Sequence, residues 1–284
     1  MCRLLGWVGR NGLSLRGVLG EESFVAFAQL SRIHADGWGL AHADGGEISV
    51  ERSLTNASSD PAFAETATNV VARAAIAHLR WASPGLPVEL RNAHPFVLDG
   101  AAMAHNGGIY PFDRLDELVT DEWRARLTGT TDSEHYFLAV LAEMAASGSD
   151  MVTALPRVLD RIAAAFSPSS LNAMFLTAEA LYVVNCHDES VRPDLRTADA
   201  QSVDDLVEAR EEEAPYYDLR YRRSASAVVV ASSGFAQPEG GGWRRMANNS
   251  LLVVDRAGLD VTEIPLAVRI GRSEAAANAG ADLR

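Results

Sequence analysis

The chain opens Met1-Cys2-Arg3-Leu4-Leu5-Gly6-Trp7-Val8-Gly9, an apolar, strand-like run with a cysteine directly behind the initiating methionine. Methionine aminopeptidases cut readily before small residues, so the sequence predicts a mature amino terminus at Cys2. A thiol and a free α-amine on one residue make a self-contained nucleophile and base. An amine with a pKa of about 8 can take the thiol proton and later return it to a leaving amine. The alternative is that position 2 is an accident of translation start, and the rest of the chain has to decide between the two.

Outward from this segment, 284 residues with 48% apolar content suffice for one large domain or two small ones with a sizeable buried core. No stretch approaches the ~20 uninterrupted apolar residues of a membrane span, and the start lacks the basic-then-apolar order of a signal peptide. A cytoplasmic protein with no membrane association is expected. Two cysteines, Cys2 and Cys186, make neither a disulfide framework nor a zinc site, which fits a reducing compartment. Cys186 closes the apolar run that begins at Leu181 and reads as a small hydrophobe at a strand end. The formal net charge of −13 repels nucleic acid and argues against direct DNA or RNA binding. Part of the acidity is concentrated from Asp204 to Glu213, inside a polar segment of about 187–214 that reads as a solvated insertion. Residues 272–284 read as a disordered tail, which leaves 2–271 as a single domain.

Short apolar runs rich in β-branched residues predict strands near 4–8, 38–42, 48–53, 74–81, 101–105, 173–177, 181–186, 227–231 and 251–254. Thr131-Asp132-Ser133-Glu134 has capping-box spacing and predicts a helix with Phe137, Leu138, Leu141 and Met144 on its apolar side. A second helix is expected over about 151–165, with Pro156 in its first two turns, and a shorter one over 61–68 behind an Asp60 cap. Strands at both ends with helices between them point to α+β with antiparallel sheets. No glycine-rich phosphate loop follows any strand, so a nucleotide site has no support.

Four polar clusters punctuate these elements. Asp36-Gly37-Trp38-Gly39 permits a close backbone approach but is also an ordinary turn. In His78-Leu79-Arg80-Trp81-Ala82-Ser83-Pro84-Gly85, a guanidinium stands at a strand end, suited to bidentate capture of a carboxylate or simply exposed at an edge. Asn92-Ala93-His94-Pro95 follows. In His105-Asn106-Gly107-Gly108, a side-chain amide and an unobstructed backbone N–H could serve one oxyanion, although Asn-Gly is equally a hairpin signal. Asp132 is a carboxylate in a first helical turn, where the helix dipole favours it in any case.

In this order, and led by Cys2, the clusters resemble the glutaminase domain of the class II, or N-terminal-nucleophile, glutamine amidotransferases over residues 2–134. The resemblance is weaker beyond, in the manner of the small stand-alone bacterial YafJ-type members. Ser83 stands where the family usually has threonine. The resemblance implies a four-layer αββα sandwich and, residue by residue, Cys2 as nucleophile with its α-amine as base. It implies Asn106 and the Gly107 N–H as oxyanion donors, Arg80 on a substrate α-carboxylate and Asp132 on its α-ammonium. Trp81, Ser83 and His94 would contact substrate, with His78 behind them.

The implied reaction is hydrolysis of a γ-glutamyl amide, either glutamine or a γ-glutamyl conjugate, with no cofactor and no metal. Retention of His78 and of the Asn-x-His-Pro wording favours the YafJ-like branch over the one that cleaves larger conjugates. Two alternatives stand beside it: a glutaminase subunit that delivers ammonia to a separate synthase partner, and a catalytically silent binding or scaffold member.

Overall fold

Alternation of side chains along the first strand sorts the molecule into layers. A computed structural model describes residues 2–44, 46–83, 85–191 and 215–271. In it β1 (Arg3–Leu13) sends Leu4 and Val8 to one face and Leu5 and Trp7 to the other, and all four are buried. A strand buried on both faces needs a partner layer on each side. Leu4 and Val8 pack between two sheets with Ile76, Ala104, Met174 and Val183, whereas Leu5 and Trp7 pack under helices with Phe24, Phe27 and Phe63.

The remaining elements are numbered in chain order. The first sheet adds β2 (Trp38–Asp44), β3 (Glu47–Ser53), β4 (Ala72–Leu79), β9 (Leu219–Arg223), β10 (Ala227–Ser232) and β11 (Trp243–Arg245), in the order β11-β9-β10-β1-β4-β2-β3. The second has the order β13-β12-β8-β7-β6-β5. It is built from β5 (Phe96–Leu98), β6 (Ala101–Tyr110), β7 (Ser167–Leu176), β8 (Ala180–Asn185), β12 (Ser250–Asp255) and β13 (Val261–Pro265). The strand pairs in both are antiparallel. Helices α1 (Leu15–Leu19), α2 (Glu21–Gln29) and α3 (Pro61–Asn69) supply the outer core of the first sheet. After the one-turn α4 (Asp121–Arg124), α5 (Asp132–Ser147) and α6 (Met151–Ala165) cover the second. The result is the expected αββα sandwich.

Helix starts follow their local chemistry. Asp60 accepts the Ala62 N–H ahead of α3, Asp150 accepts that of Thr153 in α6, and Thr131 accepts that of Glu134 in α5. The capping box of α5 is not closed, because the Glu134 carboxylate instead accepts the N–H groups of Thr128 and Gly129 at 2.9 and 2.7 Å. It thereby fixes the loop that leads into Asp132.

Local readings are refined at three places. Strand β6 runs through Asn106-Gly107 to Tyr110, so this Asn-Gly is no hairpin turn: Asn106 pairs with Asn172 and Gly108 with Ser170. Strand β4 stops at Leu79, short of Arg80 and Trp81. At the expected start of the polar insertion, His187 and Asp188 are buried and His187 bridges to Ser170. Residues 192–214, which hold the acidic run, and 272–284, the expected tail, lie outside the described residues. Cys186 is buried in the α5–α6 core just past β8, where burial pushes its thiol up to about 12. Among the described residues no helix is long and apolar enough to cross a membrane.

Candidate active site

Strand parity decides which residues meet. Cys2 continues the inner face that carries Leu4, Arg80 continues that of Ile76 and His78, and Asn106 continues that of Ala102 and Ala104. The Arg3↔Leu79 register puts Cys2 alongside Arg80, and β6 brings Asn106 across from the other sheet. The site therefore forms where the inter-sheet core runs out.

Cys2, 7% exposed, is held at every polar atom. Its nitrogen donates to Asn106 Oδ1 at 2.9 Å, and its carbonyl accepts from the Tyr216 hydroxyl at 3.2 Å. Its sulfur accepts the Trp81 N–H at 3.4 Å and donates to the Trp81 carbonyl at 3.5 Å. With its oxygen committed to Cys2, Asn106 keeps its buried Nδ2 without a partner. Arg80, 3% exposed, donates Nη2 to the Pro87 carbonyl at 3.2 Å and leaves Nη1 unpaired. Burial lowers the Arg80 pKa, with nearby Cys2 and Asp36 opposing. Asp132, at the first turn of α5, is 3% exposed and accepts the Ile109 N–H at 2.9 Å.

A cleft is lined by Cys2, Arg80, Trp81, Ser83, His94, Gly107 and Asp132. The expected site residues thus lie together, with Asn106 one layer back against Cys2. Two glycines allow this convergence. A Cβ at Gly107 would overlap the Ser170 carbonyl of β7, and one at Gly39 would overlap the His94 carbonyl, which seats His94 against the inner face. The His78 and His94 rings lie 4.4 Å apart.

These imidazoles are kept neutral. Burial, then Arg80, brings His78 down to about 3, and burial, then His78, holds His94 well below the ordinary histidine value. The unfolded chain therefore binds more protons than the folded one between about 3 and 6.5, so the stability is complete above 6.5 and is lost as pH falls through that window. The melting temperature is expected to drop from about pH 7 to about pH 4, with a shallower slope in His78→Gln. An unchanged slope in the variant would remove His78 as a source.

Residues far along the chain complete the setting. The Tyr216 hydroxyl lies 3.1 Å from His34 Nε2, and the Arg3 guanidinium sits 3.8 Å above the Tyr216 ring. Tyr216 is 214 residues from Cys2, and no local pattern marks it.

Two antiparallel sheets between helical layers, with a cysteine leading a central strand, define the N-terminal-nucleophile amidohydrolase fold. The profile of the class II glutamine amidotransferases matches residues 1–276. The chain belongs to that family. It is 32% identical over 172 residues to the glutamine–fructose-6-phosphate aminotransferase (isomerizing) of Zymomonas mobilis, covering 59% of this chain and 26% of that protein. It is 32% identical over 142 residues to a putative glutamine amidotransferase of Haemophilus influenzae, covering 48% and 46%. It therefore spans about a quarter of the first relative and under half of the second.

Among solved structures, a glutamine aminotransferase class-II domain protein from Silicibacter pomeroyi superposes with a TM-score of 0.61 at 21% identity, over 94% of this chain and 100% of that one. The glutamine phosphoribosylpyrophosphate amidotransferase of B. subtilis gives 0.59 at 15% identity, over 96% and 50%. At such identities the likeness establishes the fold.

Proposed function

We propose that the protein hydrolyses the γ-amide of glutamine, or of a γ-glutamyl conjugate, through a thioester on Cys2. The observation that carries this reading is buried charge of both signs at one cleft: Arg80 keeps Nη1 unpaired, and Asp132, which accepts the Ile109 N–H and the Ser133 hydroxyl, lines the same space. A γ-glutamyl group carries one anion and one cation on its α-carbon, so its recognition needs one group of each opposite sign. Arg80 takes the α-carboxylate and Asp132 the α-ammonium, with Trp81, Ser83 and His94 as walls.

Removal of Met1 frees the Cys2 amine, which takes the thiol proton as sulfur attacks the amide carbon. The tetrahedral oxyanion is held by Asn106 Nδ2 and the Gly107 N–H. Collapse breaks the C–N bond, and the ammonium on Cys2 protonates the departing ammonia or amine. Water, deprotonated by the same amine, then opens the thioester to release the γ-carboxylate and restore the thiol. Two free, buried cysteines fit a cytoplasmic setting. The aminotransferase relatives support a second reading, in which the ammonia passes to a separate synthase partner.

Glutamate release from a panel of γ-glutamyl amides, glutamine included, tests the reading, and a processed protein that cleaves none of them would sink it. Arg80→Ala and Asp132→Asn should each lower kcat/KM more than tenfold, from a loss of ~2–5 kcal/mol at a buried charge contact. Asparagine at 132 keeps an acceptor for the Ile109 N–H, so the change isolates charge. Wild type should strongly prefer glutamine to an analogue without the α-amino group, and Asp132→Asn should lose most of that preference. A preference left intact would reduce Asp132 to a helix-start residue.

A further inference from the structure

The Asp36-Gly37 pair, singled out in the sequence, has no part in the chemistry above, yet it lies against the segment that holds the thiol. The Asp36 N–H donates to the Arg80 carbonyl at 3.0 Å, and the Asp36 carboxylate accepts the Ala82 N–H at 2.7 Å. The Arg80 N–H in turn donates to the Gly37 carbonyl at 2.8 Å. Strand β4 has already ended at Leu79, so these bonds take over where the ladder stops.

The Arg80 carbonyl and the Ala82 N–H belong to the two peptide units on either side of Trp81. Neither unit is among the cis bonds, which fall at His94-Pro95 and Tyr110-Pro111. A trans peptide directs its C=O and N–H to opposite sides, so gripping one edge of each unit aims the other. The opposite edges here are the Trp81 N–H and the Trp81 carbonyl, the two groups that contact the Cys2 sulfur. One residue thus holds, from behind, both planes that face the thiol.

We propose that Asp36 is a positioning residue for the nucleophile, acting through the two peptide units of Trp81 and never touching substrate. The proposal rests on Cys2 being the nucleophile. Its second link is electrostatic: Asp36 also supports the positive charge of Arg80, which leaves the same short segment.

The test compares Asp36→Ala with Asp36→Asn in the full, processed chain. Alanine removes the acceptor, whereas asparagine keeps an oxygen for the Ala82 N–H and removes the charge. Asp36→Ala is expected to lower kcat for glutamine about tenfold or more, with a smaller change in KM, as for loss of a charge-assisted hydrogen bond that aligns the reacting group. Asp36→Asn should recover most of it. Hydrogen exchange at the Trp81 and Ala82 amides, followed by NMR, should quicken in the alanine variant and return toward wild type in the asparagine one.

Equal losses in both variants, or a loss of turnover with unchanged exchange at Trp81, would overturn the proposal, as would an alanine variant with wild-type kcat. If Asp36→Ala does not fold, Asp36→Ser is measured in its place. A wild type with no glutaminase activity would overturn the glutaminase reading and leave the exchange comparison to decide the role of Asp36.

Discussion

Cys2→Ala is expected to abolish glutamate release, by more than about four orders of magnitude, because Cys2 is the one thiol among the described residues that line the cleft. The fold should survive, since Cys2 precedes β1 and contributes one small side chain to the sandwich. Cys186→Ala should leave turnover within a few-fold of wild type: its thiol is buried beside α5 and α6, and burial keeps it protonated. Protein that retains Met1 should be as inactive as Cys2→Ala despite an intact thiol, because an amide nitrogen has no basic lone pair. Intact mass distinguishes the two forms. Equal rates from retained and processed protein would rule out the α-amine as base, and equal losses from the two cysteine variants would remove Cys2 from its assigned role.

Asn106→Ala should lower kcat by roughly two to three orders of magnitude with a modest change in KM, since a donor to the oxyanion acts on the transition state. The structure adds a complication, because Asn106 Oδ1 also holds the Cys2 nitrogen. Asn106→Asp separates the two duties by keeping an oxygen for the nitrogen while removing both Nδ2 hydrogens. It should be about as slow as the alanine variant. Recovery of wild-type turnover in Asn106→Asp would assign Asn106 to holding Cys2 and not to the oxyanion.

Much of the sandwich is legible because its central strands are uninterrupted apolar runs and its long helices start at marked caps. The losses have physical causes. Asn106-Gly107 reads locally as a turn, yet β7 supplies a partner for every residue to Tyr110, and tertiary pairing overrides the dipeptide signal. The first two helices go unseen because Gly17 and Gly20 interrupt the pattern of Leu15, Val18, Leu19, Phe24 and Phe27. Strand β9, Leu219-Arg220-Tyr221-Arg222-Arg223, has little apolar alternation to betray it, being near a sheet edge with one fully buried side chain. At the site, the expected residues were separate short motifs whose inward parity is readable once the strands are known. Tyr216 and His34 are not readable, because they reach Cys2 only through the packing of distant segments.

The bond between the Cys2 nitrogen and Asn106 has a practical consequence for labelling. All 25 basic side chains of this protein are arginine, and the sequence contains no lysine. Once Met1 is removed, the nitrogen that Asn106 holds is the sole primary amine of these 284 residues. An acylating reagent of the succinimidyl type would therefore attach at a single place, and that place is the base of the proposed reaction. The extent of attachment at a given time would measure how far Asn106 shields this amine, and a bound γ-glutamyl ligand should slow it further. A protein of this composition thus carries an intrinsic single-site probe of its own reactive end.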